Sequence, residues 1–93
     1  MDSQNQTPTM NQEIFKLDLS VETVSVYLMC CSLSDNNTAI STKNLSSIWN
    51  GTEALLIEGL KELEERNILR KIISDGEEKN IYQLSDAKDW KLS

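Results

Sequence analysis

Hydrophobic residues recur at helical spacing in two long stretches of the chain. The later stretch, Thr52 to Leu69, has an apolar side formed by Leu56, Leu60 and Leu63. Thr52 can cap the first turn with its hydroxyl group, and Asn67 can end the helix in a left-handed conformation. The pattern therefore predicts an amphipathic helix with one buried side.

The earlier stretch predicts another helix, which begins after a capping Ser20 and runs to about Leu33. It carries apolar residues on two sides. One stripe consists of Val21, Val24, Tyr27, Leu28 and Cys31. The other stripe consists of Val26, Met29, Cys30 and Leu33. One stripe suffices for packing against a single layer, so we expect the second to be covered by the amino-terminal arm, by the carboxy-terminal tail or by another subunit. The alternative is that α-helices and strands surround a central helix of a small three-helix domain on all sides.

Shorter elements are predicted around these two helices. Residues 1–12 are polar and are expected to form a disordered tail, and Glu13 to Leu17 a short strand or an extended arm on the core. Ala39 to Ser41 is expected to form a short strand. A short helix follows, with Leu45, Ile48 and Trp49 pointing inwards. The pair Asn50-Gly51 should end it, because these residues favour positive φ.

After Asn67 the hydrophobic period changes from that of a helix to that of strands. Two β-prone runs, ILRKII and IYQLS, flank Asp75-Gly76, which predicts a hairpin. We therefore expect one folded domain over residues 13–85. Residues 86–93 are expected to form a tail that docks on the core through Trp90.

Composition narrows the possible chemistry. The 93 residues carry a formal charge of −6, so the whole chain offers no positive field toward nucleic acid or an anionic membrane. The absence of histidine removes histidine-based catalysis and zinc binding by histidine. The adjacent Cys30 and Cys31 lie in a helical pattern and predict buried, reduced side chains. The amino terminus predicts neither a signal peptide nor a membrane anchor. A cytoplasmic protein without cofactor, metal, membrane or small-molecule substrate is expected.

Two stretches resemble a known family. The run LKELEERNIL is similar to the end of the helix-turn-helix pattern of bacterial, phage and plasmid proteins, here within Leu45 to Leu69. LDLSVETVSVYLM resembles the opening of small winged helices, including phage replisome organisers and the amino-terminal domain of DnaD-type primosome proteins. The resemblance covers Leu17 to Leu84. It implies an α+β winged helix-turn-helix of three helices, with a carboxy-terminal two-stranded β-hairpin as its wing.

The resemblance also implies that DNA would be contacted by the outward early positions of the third helix and by the wing. The candidate DNA-contacting residues are Lys43, Ala54, Ile57, Glu58, Lys61, Arg70, Lys71 and Lys79. These segments are acidic, however: Thr52 to Asn67 holds five acidic and two basic residues, and Asp75, Glu77 and Glu78 surround Gly76. DNA affinity depends largely on neutralised phosphates, which such segments supply poorly.

Two functions are therefore expected as alternatives. One is a small regulator of transcription or replication that binds double-stranded DNA as a dimer. The other is a module for protein–protein interaction or homodimerisation, such as a replication, phage or plasmid accessory protein, that does not bind DNA itself. Its candidate interface residues are Val26, Met29, Cys30, Leu33, Leu55, Ile57 and Trp90. An enzyme is not expected, because the chain contains no nucleotide loop, nucleophile motif or metal-binding motif.

Overall fold

The computed structural model describes residues 10–73 and 80–91. In chain order the elements are a 3₁₀ helix (Gln12–Lys16), α1 (Val21–Asp35), β1 (Ile40–Ser41), α2 (Thr42–Ile48), α3 (Glu53–Glu65), β2 (Leu69–Ile73), β3 (Ile81–Leu84) and a second 3₁₀ helix (Ala87–Asp89). Within this part of the chain the predicted α+β class and the three α-helices are confirmed. The predicted turn at Asp75-Gly76 and residues 1–9 of the predicted amino-terminal tail lie outside the described residues.

Each α-helix begins at a hydroxyl side chain that accepts a hydrogen bond from an otherwise unpaired amide of the first turn. The caps are Ser20, Ser41 and Thr52, whose hydroxyl oxygens lie 3.2, 3.0 and 3.2 Å from the amide nitrogens three residues later. Asn67, with φ of 58°, follows the end of α3 in the predicted left-handed conformation. The local sequence therefore determines where all three α-helices begin and where α3 ends.

The turn between α2 and α3 works differently from the prediction. Neither Asn50 nor Gly51 adopts the left-handed conformation. A Cβ at position 51 would lie 2.9 Å from three atoms of the Trp49 indole, so a larger residue there would displace this ring. Ile48, predicted to point inwards, is 47 % exposed, because the short α2 turns only Leu45 fully into the core. Packing of Trp49, rather than glycine's freedom in φ, therefore shapes this turn.

The two strands of the predicted hairpin pair antiparallel, but they belong to a three-stranded sheet in the order β1-β3-β2. Ile40 of β1 pairs with Tyr82 of β3. The short strand predicted at Ala39 to Ser41 is present as β1, and it adds a third strand to the predicted pair. Beyond β1, the backbone amide of Thr42 donates to the carbonyl oxygen of Asn80 at 3.1 Å, which ties the start of α2 to the approach to β3.

The core is built around the contact of α1 with α3. Gly59 allows the two helices to approach closely, because a Cβ at this position would lie 2.9 Å from Cγ2 of Val26. Beside this contact the Thr23 hydroxyl donates to a carboxylate oxygen of Glu62 at 2.9 Å. An apolar close approach and a polar link therefore join the same pair of helices.

The buried face of α1 takes residues from both predicted stripes. Its buried residues are Thr23, Val26, Tyr27, Cys30 and Cys31. Val26 and Cys30 come from one stripe, and Tyr27 and Cys31 come from the other. Only two apolar residues of the helix are largely outside, with Val21 77 % and Leu28 39 % exposed. The hydrophobic pattern of α1 did not show that the core face lies across the two stripes.

Both described ends of the chain pack against α1. The segment Gln12–Lys16 is a 3₁₀ helix, so the prediction of a strand or extended arm was wrong, although its Ile14 is buried in the core. The fold also begins before the predicted boundary, since Met10 packs against the core. At the other end Trp90 contacts Tyr27 edge-on, with 5.8 Å between ring centroids.

Candidate interaction groove

The outer face of α3 is exposed along the helix. Its exposed residues are Glu53, Ala54, Ile57, Glu58, Lys61 and Glu65. They follow from the helical period, because Leu56, Gly59, Leu60 and Leu63 occupy the opposite, buried side. The exposed face carries three carboxylates and one ammonium group, around an Ile57 side chain that is 52 % exposed.

A groove of about 630 Å³ lies between α3 and the sheet. The α3 wall consists of Glu53, Ile57, Leu60, Lys61, Glu64 and Glu65. The opposite wall consists of Thr42, Lys71, Asn80 and Tyr82. The buried Leu60 and Tyr82 give the groove an apolar floor. Three carboxylates against two ammonium groups leave its walls with an excess of one negative charge. The groove therefore combines an apolar floor with a mildly acidic rim.

One end of the groove contains polar atoms that the fold leaves unpaired. Within the described part of the chain, neither Oγ1 of Thr42 nor Oδ1 of Asn80 has a hydrogen-bond partner, although both atoms are shielded from solvent. The two residues lie at the same end of the groove because the Thr42 amide donates to the Asn80 carbonyl. Buried polar atoms are usually satisfied, so this end of the groove is not optimised for stability.

A second hollow of about 370 Å³ adjoins the groove and shares Thr42 and Glu53 with it. Trp49 forms one side, and its indole N–H donates to the backbone carbonyl of Thr52 at 2.8 Å. Lys43 from α2 also lines this hollow. The start of α3 is therefore hydrogen-bonded to Trp49 at the point where the two depressions meet.

The predicted DNA-contacting residues do not form one basic surface. Ala54, Ile57, Glu58 and Lys61 are exposed on α3, as described, and Lys43 is exposed on α2. Arg70 and Lys71 are both exposed on β2, but only Lys71 lines the groove, since neighbouring strand residues point to opposite sides. Lys79 lies outside the described residues. Of the predicted DNA-contacting residues that the structure describes, the groove brings together Ile57, Lys61 and Lys71.

Most of the predicted interface residues lie elsewhere than on a free surface. Val26, Cys30 and Trp90 are buried in the core of the single chain and do not lie on its surface. The physical reason is that α3 and both ends of the chain cover this side of α1. Met29, Leu33 and Leu55 are partly buried, and only Ile57 is largely exposed.

Four residues of the groove are not among the site residues predicted from the sequence: Thr42, Glu64, Asn80 and Tyr82. Glu64 belongs to the acidic run of α3, and its spacing from Ile57 and Lys61, seven and three residues, indicates the same helical face. Thr42 and Asn80 carry no such signal, because they are far apart in the chain and meet only through the pairing around β1 and β3.

The buried thiols offer no reactive site. Burial raises the pKa of Cys30 to about 12. Burial also raises the pKa of Cys31 to about 11, although a hydrogen bond with Tyr27 acts in the opposite direction. Both groups are therefore protonated at neutral pH, and a protonated thiol is neither a nucleophile nor a metal ligand.

In residues 10–73 and 80–91, no helix has the length and apolar character needed to cross a membrane. The same residues contain no group of three or more histidine, cysteine, aspartate or glutamate side chains placed to hold a metal ion. No protein-family model matches the chain, and no curated protein or solved structure matches it significantly.

Proposed function

We propose that this chain is a winged helix-turn-helix module that binds another protein and uses α3 as its contact helix. The order α1, β1, α2, α3, β2, β3 supports the winged-helix part of the proposal. It is the order of elements in the family that Leu17 to Leu84 resembles. The short turn between α2 and α3, held by Trp49, agrees with the same part of the proposal.

The charge on the outer face of α3 carries the functional part. Duplex DNA bears one negative charge per roughly 1.7 Å of its axis, so a helix that enters its groove needs cationic neighbours. Here Glu53, Glu58 and Glu65 are exposed on that face, and Lys61 is the one cation among its exposed residues. Repulsion therefore opposes DNA contact, whereas a protein partner can supply the complementary charge.

A DNA-binding regulator of transcription or replication remains the second candidate function. The observation in its favour is that Lys61 and Lys71 face the same groove from α3 and β2. Two ammonium groups on adjoining elements can contact phosphates of one strand. With such contacts, the logarithm of the DNA-binding constant would fall linearly with the logarithm of the salt concentration. The slope would be about one for each phosphate contacted.

Fluorescence anisotropy with a labelled random duplex at about 50 mM salt separates the two functions. We expect the wild-type protein not to bind. A variant with Glu53→Lys, Glu58→Lys and Glu65→Lys should bind with a steep salt dependence, because the outer face of α3 then becomes cationic. The matched control changes three exposed carboxylates elsewhere: Glu22→Lys, Asp86→Lys and Asp89→Lys. It has the same net charge and should bind much more weakly.

Two outcomes would count against the proposal. Wild-type binding that weakens steeply with salt, with Lys61→Ala and Lys71→Ala each lowering the slope by about one, would establish the DNA-binding candidate instead. Equal binding by the α3 variant and its matched control would show that α3 is not presented as a contact helix. That second result would contradict the winged-helix part.

A further inference from the structure

We infer that the groove between α3 and the sheet binds a segment of the partner protein that presents basic side chains beside an aliphatic one. This inference rests on the proposed function and specifies the chemistry of the partner. It is drawn from three properties of the groove: its apolar floor, the sign of its charge and the unpaired polar atoms at one end.

The apolar floor favours an aliphatic side chain and the stems of long basic ones. Ile57 projects from α3 with half of its surface exposed, and Leu60 and Tyr82 lie buried beneath the groove. An aliphatic side chain of a partner would cover Ile57 and remove this surface from water. The methylene stems of lysine and arginine can lie along such a floor while their charged ends stay at the rim.

The rim selects the sign of the partner. Glu53, Glu64 and Glu65 outnumber Lys61 and Lys71, and the whole chain carries −6. The field around the protein therefore attracts a basic segment and repels both a polyanion and a second copy of the chain. The two lysines add specificity, because a partner must place its cations opposite the carboxylates and away from these ammonium groups.

The unpaired atoms at Thr42 and Asn80 match the same kind of partner. The Oδ1 atom of Asn80 is an acceptor without a donor in the described structure. A rotation of this side chain would present the carbonyl oxygen to a basic side chain, since ammonium and guanidinium groups have donors and no acceptor. Arginine is the probe of choice at this end of the groove, because its guanidinium group has five donors against three for lysine.

The probe is a synthetic amphipathic helical peptide with leucine on one face and arginine on the other, titrated into the isotope-labelled full chain. We expect amide chemical-shift changes at Ile57, Lys61, Glu64 and Lys71, and an affinity that falls as salt is added. A twin peptide with glutamate in place of arginine should cause no such changes, since it meets the acidic rim with like charge.

Matched variants distinguish this groove from general attraction to an acidic protein. Glu65→Lys should weaken binding of the arginine peptide by about threefold or more, and Glu22→Lys on α1, with the same net charge, by less than about twofold. Ile57→Ser should weaken it by about fivefold, whereas Val21→Ser, at an exposed apolar position of α1, should leave it within about twofold.

The alternative outcomes contradict either this inference alone or both this inference and the proposed function. Failure of the arginine peptide to bind, or equal losses in the variants and their controls, overturns this inference. If the duplex is also not bound, the proposed function stands. Duplex binding that shifts the same amides overturns both. A dimer in light scattering whose dissociation shifts these amides would make a second copy the occupant, which also overturns the inference.

Discussion

α1 and α3 pack against each other, yet they expose opposite kinds of surface. The exposed side of α1 includes Val21, Leu28 and Ser32 and is uncharged between Glu22 and Asp35. The exposed side of α3 is acidic along its length. Since charged residues contribute little to stability at exposed positions, the charges of α3 are free to serve binding. The candidate binding chemistry therefore lies on α3, whereas α1 serves mainly to form the core.

The largest expected effect comes from placing a charge on each side of α1. Val26→Glu should lower the free energy of unfolding by about 4 kcal/mol or more, because it buries an unpaired carboxylate. Val21→Glu should change it by less than about 0.5 kcal/mol, since Val21 is exposed at the amino-terminal end of the helix. Urea unfolding followed by circular dichroism measures both. Similar losses in the two variants would mean that α1 is buried on both sides.

The contact between the two helices is tested by adding one carbon to Gly59. Gly59→Ala should lower the free energy of unfolding by about 1–3 kcal/mol, although alanine favours helix formation by about 1 kcal/mol. The reason is the collision with Val26. In a double-mutant cycle with Val26→Ala, the combined loss should be smaller than the sum of the single losses. A Gly59→Ala protein more stable than wild type would contradict the close approach.

The core face of α1 carries two thiols, whereas the core face of α3 carries none. The pH dependence of stability therefore reports on the burial of α1. The unfolded thiols ionise near their ordinary pKa of 9.0, and burial raises the folded values of Cys30 to about 12 and Cys31 to about 11. Above pH 9 the unfolded chain therefore holds fewer protons than the folded one, and the free energy of unfolding falls. It should be insensitive to these groups below pH 9 and decline by up to about 1.4 kcal/mol per pH unit for each thiol above it.

Urea unfolding at about pH 8 and about pH 10 measures this decline. Replacing both cysteines by alanine should make the pH dependence shallower, even if it lowers stability at both values. Tyr27, whose pKa is also raised by burial, leaves a residual slope. An unchanged slope in the double variant would mean that the thiols are not buried in solution.

The smallest expected effect is on the outer face of α3. Ile57→Ser should change the free energy of unfolding by less than about 0.5 kcal/mol, because Ile57 is half exposed and the two residues have similar helix propensities. Leu60→Ser, three positions along on the buried side, is the matched control and should cost about 3 kcal/mol or more. Thermal unfolding of both variants checks this contrast. A large loss for Ile57→Ser would show that this face serves stability rather than binding.

Local signals predicted much of the fold. The hydroxyl caps at Ser20, Ser41 and Thr52 act within one turn, and Asn67 ends α3 through its own backbone conformation. The two strands after α3 follow from a change of hydrophobic period. Where such signals compete with packing they fail, as at the turn before α3, where the Trp49 ring rather than a positive φ shapes the chain.

The sequence by itself determined which side of α3 is buried, because that helix has one apolar stripe and the hydrophobic effect leaves one choice. It also determined that the opposite side is acidic. Only the tertiary structure decided which residues of the two α1 stripes enter the core, because both stripes are apolar and the outcome depends on what packs there. The groove is likewise a tertiary feature: Asn80 and Thr42 meet through strand pairing, which joins residues that no local period relates.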